Sequence, residues 1–340
     1  MKVVFILVIL VFGSSAGIFF KKTISEKSEK QKGVCWVGGR EAVTEKEIAA
    51  LAKCHVTWIS QTPFAFQHNT NTSSLVTNFS SDRVWWGESD LGIKETTQLA
   101  RESGIKTILK PHIWVNHGWP GDIAMKSDTA WSNWFQNYEK FIIHYAELAE
   151  KNKIEILCIG TELHKTIHKE KEWRTMITKI RSVYQGKLTY AANFHEEYEQ
   201  IKFWDALDYI GIQAYFSLTQ NKNSTVDELK KGWSLPLNSI ERVHDKFNKP
   251  ILFTEIGYRS DKDAAIEPWV WPEQNRAREI SNQDQANCYT AFFEAAWNKT
   301  WLEGVYFWKW YPHGPRRMAE LDFTPQGKPA EKIMAENFKR

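Results

Sequence analysis

Eight short, largely apolar runs recur along this chain, each followed by a polar or amphipathic stretch, and that alternation narrows the fold more than any other feature. The first four are GVCWVGG from Gly33, HVTWISQTPF from His55, IKTILKPHIWV from Ile105 and IEILCIGTEL from Ile154. KLTYAANF from Lys187, ALDYIGIQAYF from Ala206, PILFTEIGY from Pro250 and GVYFWKWYP from Gly304 complete the set. Runs of this length without strict polar alternation read as parallel strands buried on both faces.

The stretches between them carry helical periodicity. Trp134, Tyr138, Phe141, Tyr145 and Leu148 form one stripe on a predicted helix over Thr129–Asn152, with Ser127 or Asp128 as its cap. Further helices are expected over Thr44–Lys53, Gly92–Ser103, Glu172–Tyr184, Leu237–Asn248 and Gln283–Lys299, with Gly104 and Gly186 as C-terminal glycines. Eight strands and intervening helices in about 300 residues match a (β/α)8 barrel. A doubly wound sheet is the alternative, but Val34–Arg40 lacks the G-x-G-x-x-G expected after its first strand. With no internal repeat and no second linker, one domain over 33–340 is the simplest organisation.

Residues 1–22 read as a targeting segment: Lys2, an apolar run from Val3 to Phe12, then small residues including Ser14 and Ala16. The apolar character resumes through Phe20, and about 18 residues just suffice to span a bilayer, so a signal peptide and an uncleaved signal-anchor both stay open. Either implies export. Residues 23–32 are polar and read as a linker.

With 44 basic and 41 acidic residues the formal net charge is only +3, and no Lys/Arg stripe is evident, so nucleic acid is not an expected partner. Cys35, Cys54, Cys158 and Cys288 have no metal-ligand spacing. A Cys35–Cys54 disulfide stays open in an oxidising compartment. His164 and His168 are four apart but lack the H-E-x-x-H glutamate, and read as surface histidines rather than metal ligands. No metal or organic cofactor is expected. Seventeen Trp exceed what a core of this size needs, and a flat apolar face with one N–H suits stacking on a sugar ring.

In such a barrel the active site forms at the C-terminal ends of the strands. The fourth ends in Thr161-Glu162 and the seventh in Thr254-Glu255, each glutamate following an apolar run that cannot solvate its charge. Two carboxylates facing across the mouth are what glycosidic bond cleavage requires, and a gap of roughly 5–5.5 Å gives retention of configuration. Lys110 and His112 end the third strand on one face by period two, and read as hydroxyl-binding donors; a satisfied core histidine is the alternative for His112. Asn193, ending the fifth strand, is a candidate sugar ligand.

Long segments after strands two and seven, Gln61–Asp90 and Arg259–Asn282, carry Phe64, Phe66, Trp85 and Trp86 in the first and Trp269 and Trp271 in the second. Trp114 and Trp119 extend the loop after strand three in the same way. Aromatics on several loops suit a cleft with multiple sugar subsites.

The pieces LKPHIW from Leu109, CIGTEL from Cys158, YIGIQAYF from Tyr209, FTEIGYRS from Phe253, AAIEPWVW from Ala264 and GVYFWKWYP from Gly304 resemble family 113 of the glycoside hydrolases. Its known members are chiefly β-1,4-mannanases within a large clan of retaining (β/α)8 glycosidases. The likeness spans almost the whole barrel. It implies that Glu162 is the acid/base and Glu255 the nucleophile, and that the substrate is a β-mannan or related oligosaccharide. Tyr215 resembles the clan tyrosine that hydrogen-bonds the nucleophile, and Trp308 the sugar platform at the bond being cleaved; Trp310, two residues on, is expected on the same side. Read from residues alone, Tyr215 or either Trp is also acceptable as core. Where the clan usually carries Asn before the acid/base, this chain has Thr161. The expectation is a retaining endo-β-1,4-mannanase acting as a monomer. An exo-β-mannosidase or β-1,4-glucanase is the alternative within the class, and a catalytically silent glycan-binding barrel the alternative outside it.

Overall fold

The computed structural model describes residues 29–80, 84–271, 279–315 and 319–340. The expected targeting segment, residues 23–28 of the expected linker and part of the loop after strand seven lie outside the described residues. Ten strands are present among them: β1 Gln31–Trp36, β2 Trp58–Gln61, β3 Phe64–Asn69, β4 Lys106–Leu109, β5 His112–His117, β6 Ile156–Thr161, β7 Lys187–Asn193, β8 Ile210–Gln213, β9 Ile251–Ile256 and β10 Leu302–Trp310. Eight of them close into a parallel barrel in the order β1-β10-β9-β8-β7-β6-β4-β2. Each arises from one of the eight apolar runs, so the chain is a (β/α)8 barrel.

Alternation along each strand separates two cores. Cys35, Ile108, Ile156, Cys158, Leu252 and Tyr306 fill the lumen, while Val34, Leu109, Leu157, Ile159, Phe253 and Phe307 face the helices. The helix Asp128–Lys151, capped by the Ser127 hydroxyl, buries Trp134, Tyr138, Phe141 and Tyr145. Burial of side chains this large stabilises the fold by about 1.5–3 kcal/mol each. Tyr138 also donates to the Ile159 carbonyl at 2.9 Å, tying this helix to the strand that leads to Glu162. No helix among the described residues is long and apolar enough to cross a membrane.

The structure departs from the expected elements in several places. The second and third apolar runs each split in two. Pro63 separates β2 from β3 and Pro111 separates β4 from β5, because a residue without an N–H interrupts a ladder. The second halves pair with each other as a parallel two-stranded extension, Phe64 opposite His112. His112 therefore opens β5 and Lys110 follows the end of β4, so the two do not end one continuous strand.

Gly186 is not a helix cap. The helix Glu170–Val183 ends at Tyr184, and a Cβ at Gly186 would meet the Tyr184 hydroxyl at 2.1 Å. Gly104, with φ +74°, does end its helix as expected. All four cysteines are free and buried. Cys35 lies in the lumen and Cys54 in the helix-facing core, so the expected option of a bridge between them is not taken.

Three β-bulges lie at the C-terminal end of the barrel. Pairing of β6 with β7 shifts between Cys158 and Thr161, that of β8 with β9 between Ile212 and Gln213, and that of β1 with β10 between Val34 and Trp36. Each inserts an extra residue and re-aims the side chains beyond it. In β9, Phe253 and Ile256 both face the helices, and the extra residue between them turns Glu255 into the lumen. In β10 the bulge defeats period two: Trp308 lines the lumen, but Trp310 pairs with Trp36 and packs in the helix-facing core, contrary to the expected common side.

Candidate active site

A cavity of about 650 Å³ opens at the C-terminal mouth of the barrel. Glu162, Glu255, His112, Asn193, Tyr215, Trp308, Trp269 and Trp271 all line it. Lys110 lies beneath, with no exposed surface. The barrel thus brings the two glutamates together with Lys110, His112, Asn193, Tyr215, Trp308, Trp269 and Trp271.

Glu255 is held by two donors. Lys110 Nζ forms an ion pair with Oε1, and the Tyr215 hydroxyl donates to Oε2 at 2.7 Å. Burial works against the Lys110 ammonium, but the facing Glu255 charge and its hydrogen bond hold the Lys110 pKa above its ordinary value. Burial, then the Glu255 charge, pushes Tyr215 well above its usual range, so its proton stays in place to be donated. His112 Nε2 stands 3.8 Å from the same Oε1. Burial and the Lys110 charge push His112 well below the ordinary histidine value, which leaves it a neutral ring. Its Nε2 has no hydrogen-bond partner among the described residues, and the ring borders the cavity.

Glu162 sits differently. It follows the β6 bulge with φ +52°, a left-handed conformation that a glutamate adopts only when its surroundings hold it there. Its N–H donates to the Ala191 carbonyl at 2.9 Å. Asn193 Nδ2 donates to Oε1 at 2.8 Å, and Trp119 Nε1 to Oε2 at 3.3 Å. Both contacts come from neutral donors. Burial, followed by the negative charge of Glu255, raises the Glu162 pKa above the ordinary glutamate range. Two carboxylates at one mouth thus stand in opposite settings, one against a buried cation and one disposed to keep its proton, the pattern that separates an acid from a nucleophile.

Aromatic faces surround the pair. Trp269 stacks on Phe194 with ring centroids 5.1 Å apart, and Trp271 meets Trp308 edge-on at 6.3 Å. Trp114 is 55% exposed at the end formed by the β3–β5 extension. Of the aromatics expected after strand two, Phe64 lines the cavity, whereas Phe66, Trp85 and Trp86 do not. The Thr161 hydroxyl turns to the Pro111 carbonyl at 3.4 Å and also lies outside the lining. Phe194, His195, Gln213 and Phe323 line it without having been singled out from sequence.

A second depression, of about 610 Å³, runs along the helix Glu170–Val183, but its Arg174 is engaged by Glu170 and Asp205 at the surface. His164 and His168 lie on a short turn and its exit, and no cluster suited to a metal ion occurs among the described residues.

The model of Glycoside Hydrolase Family 113 matches residues 36–326. The chain belongs to glycoside hydrolase family 113. This family 113 member is a glycoside hydrolase whose substrate is a carbohydrate. It is similar to a solved family 113 β-1,4-mannanase at 24% identity and TM-score 0.78, over 92% of this chain and 99% of the other. The family 113 β-mannanase AaManA from Alicyclobacillus acidocaldarius, solved in complex with ManMIm, matches at 26% identity and TM-score 0.78, over 92% and 98%. A Ruminococcus gnavus β-glucuronidase shares the fold alone, at 12% identity and TM-score 0.58, over 91% of this chain and 50% of that one. No curated protein matches the sequence.

Proposed function

We propose that this glycoside hydrolase is an endo-acting β-1,4-mannanase working by double displacement. The observation that carries the reading is the contrast between Glu255, whose oxygens face Lys110 and Tyr215, and Glu162, half-buried against neutral donors and raised in pKa. Glu255 attacks the anomeric carbon while Glu162 protonates the departing oxygen; Glu162 then takes the proton from the water that releases the sugar from Glu255. Lys110 and Tyr215 orient the nucleophile. Neutral His112 and Asn193 offer hydrogen bonds to sugar hydroxyls, and Trp308, Trp269 and Trp271 offer stacking faces.

Mannan as substrate is supported by family membership and by the β-mannanases among the similar structures. Endo action is supported by aromatic faces on several sides of an open cleft. The apolar character of residues 1–22 supports export and action outside the cytoplasm. The deciding experiment is a product profile on mannan, glucomannan and cellulose. A ladder of manno-oligosaccharides is expected; release of monosaccharide alone, or turnover of cellulose alone, overturns the assignment.

A further inference from the structure

Behind Asn193, and outside the cavity lining, lies a third carboxylate. Glu197 begins the four-residue helix Glu197–Gln200 and has no exposed surface, whereas its neighbours Glu196 and Glu199 are exposed. A surface helix of one turn needs no buried acid, and burying one is costly without partners. Both oxygens of Glu197 are engaged, and both donors belong to β7. Oε1 accepts from the Tyr190 hydroxyl at 2.5 Å, and Oε2 from the Asn193 N–H at 2.6 Å.

Each donor leads to Glu162. The Tyr190 oxygen accepts from the Leu163 N–H at 2.9 Å, and Leu163 is the residue after Glu162. Asn193 gives its side-chain amide to Glu162 itself at 2.8 Å. Tyr190 has little freedom, because its ring fills the space over Gly160, where a Cβ would come within 2.6 Å, and packs edge-on against Trp173. Glu162, whose φ is left-handed, and the residue after it are therefore held from β7 at three points: the Glu162 N–H on the Ala191 carbonyl, the Leu163 N–H on the Tyr190 hydroxyl and the Glu162 carboxylate on the Asn193 amide. Two of the three converge on Glu197. Since the Tyr190 proton is directed at Glu197, the lone pair on its oxygen is free to accept from Leu163.

We propose that Glu197 is a positioning residue for Glu162, a buried carboxylate that fixes Asn193 and the backbone at Glu162–Leu163 in the geometry from which Glu162 gives and takes a proton. The proposal rests on the reading of Glu162 as acid/base. Glu197 touches no substrate; it acts through Tyr190 and Asn193. Replacement by Ala removes both oxygens, so both β7 donors lose their partner whatever the protonation state of Glu197.

The test separates proton delivery from general damage. In the first chemical step an aryl glycoside with a 2,4-dinitrophenolate leaving group needs no protonation, whereas an unactivated oligosaccharide does. For E197A, kcat/KM on mannohexaose is expected to fall about 10- to 100-fold, and on 2,4-dinitrophenyl β-mannobioside by less than about threefold, the same selectivity as E162Q. An equal fall on both substrates, or no fall on either, overturns the proposal. A wild-type enzyme inert on mannohexaose overturns the mannan reading alone, and the pair is then run on the β-linked hexaose that it does cleave, with the matching aryl glycoside. A crystal structure of E197A needs no substrate: loss of the Asn193–Glu162 hydrogen bond, or relaxation of the positive φ at Glu162, is expected, and retention of both refutes the idea.

Discussion

Asn193 gives its side-chain amide to Glu162 across 2.8 Å, from the end of one barrel strand to the residue just beyond its neighbour. The bond has a measurable sign. A donor to a carboxylate favours its ionised form, so this contact opposes the burial and the Glu255 charge that raise the Glu162 pKa. In the proposed mechanism Glu162 is the acid and must be protonated, so activity is expected to be lost as pH rises through its pKa. The alkaline limb of kcat/KM against pH is expected above the ordinary glutamate value of 4.5, and in N193A it should move higher still. A limb that stays put or moves down in N193A contradicts this electrostatic account.

Removing either carboxylate distinguishes their roles. E255A is expected to lose on the order of 10⁴-fold or more in turnover of mannan, and azide with an activated aryl glycoside should yield a glycosyl azide of inverted configuration. E162A should retain attack on activated substrates, and azide should then give the retained configuration. NMR of the azide products decides, and interchanged stereochemistry would exchange the two assignments.

Lys110 is expected to support the fold as well as the proposed chemistry. It is fully buried, and truncation leaves the Glu255 charge without its cation. K110M is expected to cost about 3–5 kcal/mol of stability, read as a fall in denaturation midpoint, together with loss of turnover. A variant of unchanged stability would mean that water or another cation replaces the ammonium.

Burial pushes Glu197 up to about 8, against the pull of its Tyr190 and Asn193 donors. A raised folded-state pKa means that the folded protein binds the extra proton. Its contribution is full below the ordinary value of 4.5 and is lost as pH rises through about 8. Its size is on the order of 5 kcal/mol at most. Denaturant unfolding across that window should show wild-type stability falling relative to E197Q, which has nothing to titrate there. Parallel curves would place Glu197 in the ordinary carboxylate range.

The aromatic rim is expected to act on binding. Trp269→Ala and Trp114→Ala should each raise KM for mannohexaose about 2- to 10-fold with smaller effects on kcat, as the loss of one stacking face implies. Unchanged KM for both would assign these rings to packing.

The legible part of this protein is the part governed by burial. Strands buried on both faces must be apolar, so all eight barrel strands can be read directly, and a glutamate closing such a run stands out because nothing nearby can solvate it. The signal for the split runs is also present, in Pro63 and Pro111, but hydrophobicity continues through both and hides the break. Bulges leave no such mark. Period two puts Trp310 beside Trp308, and the extra residue in β10 sends it to the other core. Glu197 is unreadable for a different reason: it stands among the acidic residues Glu196 and Glu199, and only the fold makes one of the three a buried ligand of β7.

The bulges at the barrel mouth carry a consequence for how such a catalyst can change. Side-chain direction at Glu255 depends on a local miscount in its ladder rather than on its own identity. A change that straightened this ladder, so that Thr254 rather than Glu255 stood opposite Gln213, would leave every chemical group of the site in the chain and rotate the carboxylate out toward the helices. Positions with no reactive atom, such as Gly160, where the Tyr190 ring leaves no room for a Cβ, thus hold a veto over the reaction. A search for inactivating substitutions should find them there as readily as at the glutamates.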